Sequence, residues 1–328
     1  MKILVLRGGA LGDFLVTLPA LNLLRARWPQ GRIELVGHAR AAELALPGGT
    51  LDAVHSQHEA RWAALYGGEP LPAGLHTWLE EFDLVVSFWP DPDGALAAHF
   101  PLRAGQTWVT AAARPAVSPA ARHYCEALHP LGLATTDYCT RLSVGKLEIR
   151  NSKSETNRSA TGTAILEAQS AKPKTQNSKP KTPNPVCIAI HPGSGSPRKN
   201  WPVGRWVELA GRLRGQAPLL IVGGEADTPA VAALAAFGEV ALNLPLPELA
   251  RRLAACRLFL GHDSGVSHLA AAMGTPCVLL FGPTEPAMWA PPCKHVRVIH
   301  HGPELSAISV DAVWCSLAAP REEPPFCP

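Results

Sequence analysis

Long apolar runs are absent from this chain of 328 residues, and no stretch approaches the ~20 apolar residues that a membrane-spanning helix requires. The apolar start, MKILVL, stops at Arg7 and is followed by glycines, so a strand is expected there rather than a signal peptide. Contact with a membrane is therefore expected to be peripheral at most, and the chain is expected to be cytoplasmic.

Closely spaced cysteine pairs are absent too. Eight cysteines are scattered along the chain without a C-x-x-C motif, and the spacing of Cys293, Cys315 and Cys327 matches no common zinc site. Without an export signal, the cysteines are expected to be reduced thiols, several of them buried beside strands. Neither a metal ion nor another cofactor is expected.

An excess of charge of one sign is also absent, since the formal net charge is +3 and 17% of the residues are charged. No Lys/Arg-rich block accompanies a nucleic-acid-binding motif, which argues against nucleic acid as a partner. The chain does have 47% hydrophobic residues, over a length that exceeds one ordinary core. Two domains are therefore expected.

A change of composition separates these domains. Residues 147–185 are rich in Ser, Thr, Asn, Lys and Pro, and such a segment buries too little apolar surface to offset the entropy lost on ordering. It is predicted to be a flexible low-complexity linker. The predicted units are a first domain over 1–146, the linker over 147–185, a second domain over 186–304, and a helix with a proline-rich tail over 305–328.

The stretch that organises the second domain covers residues 257–284. It is typical of strand, polar turn, short helix and strand, with Asp263, Ser264 and Gly265 at the start of the helix. Free backbone N–H groups and the positive end of the helix dipole suit this place to a phosphate. Helix capping would explain Asp263 or Ser264, but not His268, which shares a helix face with Ser264. A ligand site is therefore favoured over capping alone.

The first domain opens with a similar order of strand, turn and helix. The run KILVLR passes through a turn containing Gly8, Gly9 and Gly12, which permit a tight bend and close approach of a ligand. The spacing is not G-x-G-x-x-G, so the dinucleotide fingerprint is absent. Pro19 is expected to kink the following helix or to mark its late start. Asp13 is either an acid stabilised by the helix dipole or a general base at a strand end, and both interpretations stay open.

Apolar runs alternate with Ala- and Leu-rich helical segments elsewhere, which predicts parallel sheets with helices on both faces, an α/β fold. The predicted strands of the first half cover residues 2–7, 32–38, 51–56, 82–89 and 107–110. Asp91 and Asp93 form a D-x-D pattern of the kind that can hold a divalent cation. Because they follow a strand and precede a helical segment, a turn and helix cap is predicted instead.

The second half begins with the apolar run 186–190, a loop of Gly and Ser, and a helix predicted to begin near residue 202 or 203. The loop carries Ser194, Ser196 and the basic pair that ends at Lys199. These groups suit an anion, with a solvated basic loop as the alternative. Glu225 lies past a later strand end, where an acid either charges the first turn of a helix or accepts both ribose hydroxyls of a nucleotide.

Five motifs resemble, in their order along the chain, those of the lipopolysaccharide heptosyltransferase family, glycosyltransferase family nine. They are VLRGGALGDFLVTLPAL, HPGSGSPRKNWP, IVGGEAD, GHDSGVSHLAAAMGTP and FGPTEPAMWAP. The resemblance covers both halves and omits the linker and the end of the tail. It implies a GT-B architecture, in which two Rossmann-like domains face each other across a cleft, the first for the acceptor and the second for a nucleotide-sugar donor.

The resemblance also implies roles for single residues. Asp13 matches the family's proposed catalytic base, and Lys199 matches the lysine that holds the donor phosphates. Ser194 and Ser196 fall where members carry phosphate-binding hydroxyls, and Glu225 matches the ribose-binding acid. The donor element D-[ST]-G-x-x-H is matched by Asp263, Ser264, Gly265 and His268.

The implied activity is inverting, metal-independent transfer of a heptose or related sugar from an ADP-sugar to a lipid-linked, lipopolysaccharide core-type acceptor. Such an enzyme works in the cytoplasm or at the inner face of the inner membrane. Around residues 88–94 the chain has SFWPDPDG where the family has a polar, Gln-containing turn, so the acceptor pocket is expected to differ. The alternatives are a nucleotide-sugar epimerase of the same fold and a non-catalytic nucleotide-sugar binding protein.

Overall fold

A computed structural model describes residues 1–67, 69–142 and 187–318. Two parallel sheets lie within these residues, one in each half of the chain. The predicted linker over 147–185, the proline-rich end of the tail and Cys327 lie outside the described residues.

The first sheet has five parallel strands in the order β3-β2-β1-β4-β5. The central strand is buried throughout from Ile3 to Leu6, as expected for a parallel sheet covered on both faces. The strands are β1 Lys2–Arg7, β2 Arg32–Gly37, β3 Ala53–Ser56, β4 Leu84–Ser87 and β5 Thr107–Thr110. The helices are α1 Leu11–Arg27, α2 Ala39–Ala42, α3 Ala73–Glu80, α4 Ala95–His99 and α5 Ala120–Glu126.

The second sheet has six parallel strands in the order β11-β10-β9-β6-β7-β8. The strands are β6 Ile188–Ile190, β7 Leu219–Gly223, β8 Glu239–Leu242, β9 Leu258–His262, β10 Cys277–Phe281 and β11 Val296–His300. The helices are α6 Val203–Leu213, α7 Thr228–Leu234, α8 Leu246–Ala254, α9 Gly265–Ala272, α10 Pro286–Trp289 and α11 Val310–Ala318. The predicted α/β class and the predicted strand, turn, helix and strand over 257–284 are confirmed.

Helix α1 begins at Leu11 and contains Pro19, so the predicted late start is wrong. Proline has no N–H to donate to the carbonyl four residues earlier, which here is that of Leu15. The buried Thr140 hydroxyl donates to this carbonyl over 3.1 Å. The segment that leaves the first half therefore supplies the hydrogen bond that the proline cannot make.

The expectation that the cysteines are reduced thiols is wrong for one pair. Cys139, on the segment that leaves the first half, and Cys293, in the loop before β11, form a disulfide with an S–S distance of 2.07 Å. The two residues are 154 positions apart, and only the packing of the two halves brings them together. The free cysteines among the described residues are Cys125, Cys187, Cys256, Cys277 and Cys315.

The two halves meet where α1 packs against α9. A Cβ atom built on Gly265 would stand 3.0 Å from Leu11 Cβ and 3.2 Å from the Gly12 nitrogen, so the absence of a side chain permits this close approach. Helix α11 packs against α6 within the second half, and Arg212 pairs there with Asp311. Among the described helices, none is both long and apolar enough to cross a membrane.

Candidate active site between the two halves

Each sheet has one switch point, where the chain turns from building one side of the sheet to building the other. The first lies between β1 and β4, and the second lies between β6 and β9. In open parallel sheets, ligands bind outside the carboxyl ends of the strands at such points. The glycine turn over 8–12 follows β1, and the predicted donor residues follow β6 and β9, except Glu225, which follows the neighbouring strand β7. The predicted site residues of each half therefore lie at its switch point or in the loop beside it.

Asp13 lies in the first turn of α1, and its carboxylate is held by two donors. Oδ2 accepts the Ala10 N–H over 2.9 Å, and Oδ1 accepts from Arg7 Nη2 over 3.2 Å. The Arg7 side chain is only 5% exposed, whereas that of Asp13 is 39% exposed. Arg7 also donates to the Tyr124 hydroxyl over 2.9 Å. A buried, hydrogen-bonded cation thus orients a carboxylate that remains accessible from the cleft.

Gly9 permits this arrangement. Its φ of +108° lies in the left-handed region that favours glycine, and a Cβ atom there would stand 2.5 Å from Asp13 Cγ. The turn after β1 therefore passes directly beside the Asp13 carboxylate. A side chain at position 9 would push that carboxylate out of place.

On the opposite side, Lys199 and Asp263 form an ion pair with 2.8 Å between Nζ and Oδ2. Asp263 precedes α9, whose N-cap is Ser264. The Ser264 hydroxyl accepts the Ser267 N–H over 3.3 Å. Among the described residues, nothing accepts the N–H groups of Gly265 or of the residue that follows it. A lysine and two free amides at a helix N-terminus form an arrangement suited to an anion.

His268 connects the two sides electrostatically. Its side chain is buried, and burial lowers its pKa. The charges of Asp263 and Asp13 act to raise the same pKa, and that of Lys199 acts to lower it. All three charges act on one imidazole although they come from both halves of the chain. The geometry agrees, since a Cβ atom built on Gly12 would stand 3.8 Å from His268 Cδ2 and 3.7 Å from the Gly265 Cα atom, so the segments that carry Asp13 and Asp263 meet at this histidine.

A cavity of about 440 Å³ lies between the halves beside Asp13. Its walls are Asp13, Ala113, Arg114 and Pro115 from the first half and Trp289 from α10 of the second. Arg114 is exposed in it. The Asp13 carboxylate thus faces open space that both halves enclose.

A chain of hydrogen bonds behind the anion site was not foreseen from the sequence. His191 Nε2 lies 3.2 Å from Asp227 Oδ2, and its Nδ1 lies 3.3 Å from the Ser264 hydroxyl. Burial acts to raise the pKa of Asp227, but hydrogen bonds from His191 and the Gly224 N–H lower it overall. A Cβ atom on Gly193 would stand 1.7 Å from Asp227 Oδ1. Two features of the sequence could have indicated these hydrogen bonds. His191 directly follows a buried strand, and Asp227 lies three residues after Gly224.

His262, the last residue of β9, holds the loop that follows β6. Burial lowers its pKa to about 3, so the imidazole is neutral. Its Nε2 accepts the Trp201 N–H over 2.8 Å, and its Nδ1 donates to the Gly193 carbonyl over 3.2 Å. This tautomer is the one that satisfies both contacts. A buried neutral histidine thus fixes the loop that carries Lys199.

The remaining predicted donor residues, Ser194, Ser196 and Glu225, make no described contact with Asp13. The Ser194 hydroxyl lies 2.7 Å from both the Ser196 carbonyl and Asn200 Oδ1, within its own loop. Glu225 is exposed at the start of the single turn that also carries Asp227. Gly8 and Gly9 line a second cavity, on the first half.

The predicted turn and helix cap at the D-x-D pattern is confirmed. Asp91 accepts the N–H groups of Leu96 and Ala97 over 2.9 and 3.0 Å, and Asp93 accepts that of Ala95 over 3.3 Å. Both carboxylates therefore serve the start of α4.

Two parallel α/β halves that present their switch points to a shared cleft define the GT-B class of glycosyltransferases. The comparisons with known proteins agree with this class. The family model described as glycosyltransferase family 9 (heptosyltransferase) matches residues 101–311.

The chain is 27% identical over 300 residues to lipopolysaccharide heptosyltransferase 1 of Pseudomonas aeruginosa, covering 87% of this chain and 80% of that protein. Among solved structures, the glycosyltransferase family 9 protein of Veillonella parvula is similar with a TM-score of 0.71 and 20% identity, over 97% of this chain and 96% of that one. The Escherichia coli heptosyltransferase WaaC with ADP is similar with a TM-score of 0.69 and 20% identity, over 97% and 99%.

The chain therefore belongs to glycosyltransferase family 9, the heptosyltransferase family. It is a glycosyltransferase of GT-B architecture, as the resemblance of its motifs implied.

Proposed function

We propose that the chain transfers a heptose or a related sugar from an ADP-sugar to a lipopolysaccharide core-type acceptor, with inversion and without a metal ion. The unit over 1–146 holds the acceptor and the unit over 186–304 holds the donor. The observation that carries the proposal is the close contact between Gly12 and Gly265, because the residue after Gly12 is Asp13 and the Lys199–Asp263 pair lies directly before this start of α9. The ADP in the WaaC structure and the name of the Pseudomonas relative support the donor and acceptor classes.

Asp13 is the proposed general base. In an inverting transfer the base removes the proton of the attacking hydroxyl while the anomeric carbon becomes oxocarbenium-like. Each oxygen of the Asp13 carboxylate accepts one hydrogen bond, from Arg7 or from the Ala10 N–H, and each keeps a lone pair for a further partner. Arg7 and Gly9 act as positioning residues, because they set where the carboxylate points.

The leaving diphosphate gathers negative charge as the sugar departs. In the proposal Lys199 and the free N–H groups at the start of α9, from Gly265 onward, compensate that charge. Lys199 is held at this helix terminus by Asp263 before the donor binds. The Ser264 cap and His268 complete the wall of the diphosphate site. No metal ion is needed if these groups carry the compensation.

The nucleoside lies beside the diphosphate in the proposal. Glu225, exposed past the end of β7, accepts the ribose hydroxyls. Ser194 and Ser196 donate to phosphate oxygens once the donor displaces the internal contacts of their loop. The acceptor is lipid-linked, so the enzyme works in the cytoplasm at the inner face of the inner membrane, with peripheral contact only.

The decisive experiment is an acceptor-dependent transfer assay with purified full-length chain. ADP-heptose is supplied with truncated core oligosaccharides, and products are identified by mass spectrometry, with GDP- and UDP-sugars as matched donors. We expect a heptosylated acceptor and stoichiometric release of ADP. Activity is expected to be unchanged by EDTA; loss with EDTA and recovery with Mg²⁺ would contradict metal independence.

The same assay separates the alternatives. Conversion of the sugar nucleotide into an isomer in the absence of any acceptor would identify an epimerase instead. Tight binding of ADP-heptose without turnover on any acceptor of the panel would identify a binding protein. Retention of configuration at the anomeric carbon of the product would contradict the inverting mechanism.

A further inference from the structure

The switch point of the first sheet carries a cavity that the transfer mechanism has not used. Its volume is about 460 Å³, and it opens beside Gly8 and Gly9, which follow β1, and beside Trp89 and Pro90, which follow β4. This is the place where an open parallel sheet binds its ligand. Gly9 also abuts the Asp13 carboxylate. A ligand in this cavity therefore lies next to the proposed base.

Aromatic rings dominate the cavity wall. The Tyr66 ring lies nearly parallel to that of Trp89, with 22° between the planes and 6.4 Å between the centroids. Trp62 stands edge-on to Trp89 at 6.2 Å. The Tyr66 hydroxyl donates to the Pro90 carbonyl over 2.9 Å, which fixes the ring although its residue is 42% exposed. An exposed aromatic face held in place in this way suits the C–H face of a sugar ring.

Polar groups are present at the edge of this face. The Trp89 indole nitrogen lies close to Gly8, and it donates to no residue in the described part of the chain. The Gln57 side-chain amide is locked by two hydrogen bonds of 3.1 Å to the backbone of Gly9. A free indole donor at the edge of an apolar face matches a sugar, which presents hydroxyls around the edge of its ring.

Among the described residues around the cavity, acidic side chains outnumber basic ones. No lysine or arginine is among its described lining residues, while Glu59 is. Arg61, which precedes Trp62 in the sequence, is paired with Glu59 over 2.9 Å. Burial raises the pKa of the Tyr66 phenol, and the charges of Asp91 and Asp93 raise it further, which shows that both carboxylates act on this ring. A phosphate or carboxylate on the ligand would meet like charges here without a free cation.

We infer that this cavity is the acceptor subsite for an uncharged pyranose ring, which lies against Tyr66, accepts a hydrogen bond from Trp89 and directs its reacting hydroxyl towards Asp13. The inference rests on the proposed transfer and specifies the class of acceptor. It also gives a role to the turn around residues 88–94, where the sequence departs from its family.

Binding of simple sugars tests the inference without any turnover. Methyl α-D-mannopyranoside and its 6-phosphate are titrated against the nucleotide-free full chain, and saturation-transfer NMR gives the affinities. We expect the neutral glycoside to bind about tenfold more tightly than the phosphate. Tyr66→Ala should weaken the neutral glycoside about five- to tenfold, whereas Tyr66→Phe should retain it, because the ring face is kept.

Because no donor is present, the titration gives an answer even if the proposed transfer fails. Unchanged ADP affinity and melting temperature show that the Tyr66→Ala variant is folded. Where transfer is measurable, Tyr66→Ala should raise the acceptor KM and leave the donor KM unchanged. Equal binding of the two probes, no binding of the neutral glycoside, or wild-type affinity in Tyr66→Ala would overturn the inference.

Discussion

Asp13 and Asp227 hold the same local position in the two halves of the molecule. Each accepts, on Oδ2, the backbone N–H three residues earlier, that of Ala10 over 2.9 Å and that of Gly224 over 2.8 Å. Their surroundings differ. The Asp13 side chain is 39% exposed towards the cleft, whereas that of Asp227 is 10% exposed and faces the buried His191. The same cap therefore leaves one carboxylate accessible from the cleft and uses the other to hold a neighbour.

The two switch points differ in the same sense. The first is open, aromatic and poor in cations, and Gly9 at its edge abuts Asp13. The second is buried and polar, and its histidines and serines are tied to one another and to Asp227. In our proposal, one fold element repeated in the chain thus serves an uncharged acceptor in one half and a diphosphate in the other. The side chains beyond the strand ends decide which.

Among the substitutions that test this difference between the two halves, Asp13→Asn is expected to have the largest effect, a loss of kcat. Asparagine keeps the shape and can still accept from the Ala10 N–H, but it cannot take the proton of the acceptor hydroxyl. We expect kcat to fall about 10³-fold, with ADP affinity by calorimetry unchanged. The control is Asp311→Asn, which removes another arginine-paired carboxylate from an exposed position. Retained kcat, or lost ADP binding, in Asp13→Asn would remove the residue from the role of base.

Lys199→Met should have the next largest effect, on binding rather than on chemistry. Methionine keeps much of the apolar stem but removes the charge, and the Asp263 carboxylate is then left to repel the diphosphate. We expect ADP to bind about ten- to a hundredfold more weakly, the cost of losing a charged hydrogen bond. Adenosine should bind as before. The control is Arg198→Met, which removes the neighbouring exposed cation; equal weakening of ADP and adenosine would refute the phosphate role of Lys199.

The placement of these two residues beyond strand ends was predictable from sequence, because each lies in a short local pattern of strand, turn and helix. Local patterns also predicted the strands of the first sheet and the helix cap at Asp91, whereas β11 of the second sheet was not predicted. What could not be predicted depends on packing between distant segments. The Cys139–Cys293 disulfide needs the two halves to meet, and the hydrogen bond from Thr140 to Leu15 needs the crossing segment to lie against α1.

Glu225 and Asp227 show the same limit of sequence-based prediction within a single turn. Both acids belong to one turn, and the motif IVGGEAD gives no reason to prefer either as the inward one. The choice depends on His191, which is 36 residues away from Asp227 and lies opposite it only in the folded sheet. Sequence reasoning selected Glu225 for a ligand, and the structure adds a buried partner role for Asp227.

Asp227→Asn is therefore expected to alter stability more than chemistry. The folded-state pKa of Asp227 is lowered, so its stabilising contribution is present above the unfolded pKa of about 3.9 and is lost as pH falls through the folded value. We expect the variant to be less stable by about 1–3 kcal/mol at pH 7, with the difference shrinking below about pH 4. Urea unfolding from pH 3 to 7 measures this. A constant gap between the two proteins across that range would contradict the role of the carboxylate charge.

Glu225→Gln should have the smallest effect, and it tests directly whether the exposed acid of this turn serves binding while Asp227 serves stability. Because Glu225 is exposed, its substitution should leave stability unchanged. If its carboxylate accepts the ribose hydroxyls, wild type should bind ADP about two- to tenfold more tightly than 2′-deoxy-ADP, the range of one hydrogen bond. In Glu225→Gln that preference should shrink, while in Lys199→Met it should persist, because that variant affects the diphosphate alone. An equal preference in wild type and Glu225→Gln would show that another group recognises the ribose, and Glu225 would then be only a surface acid.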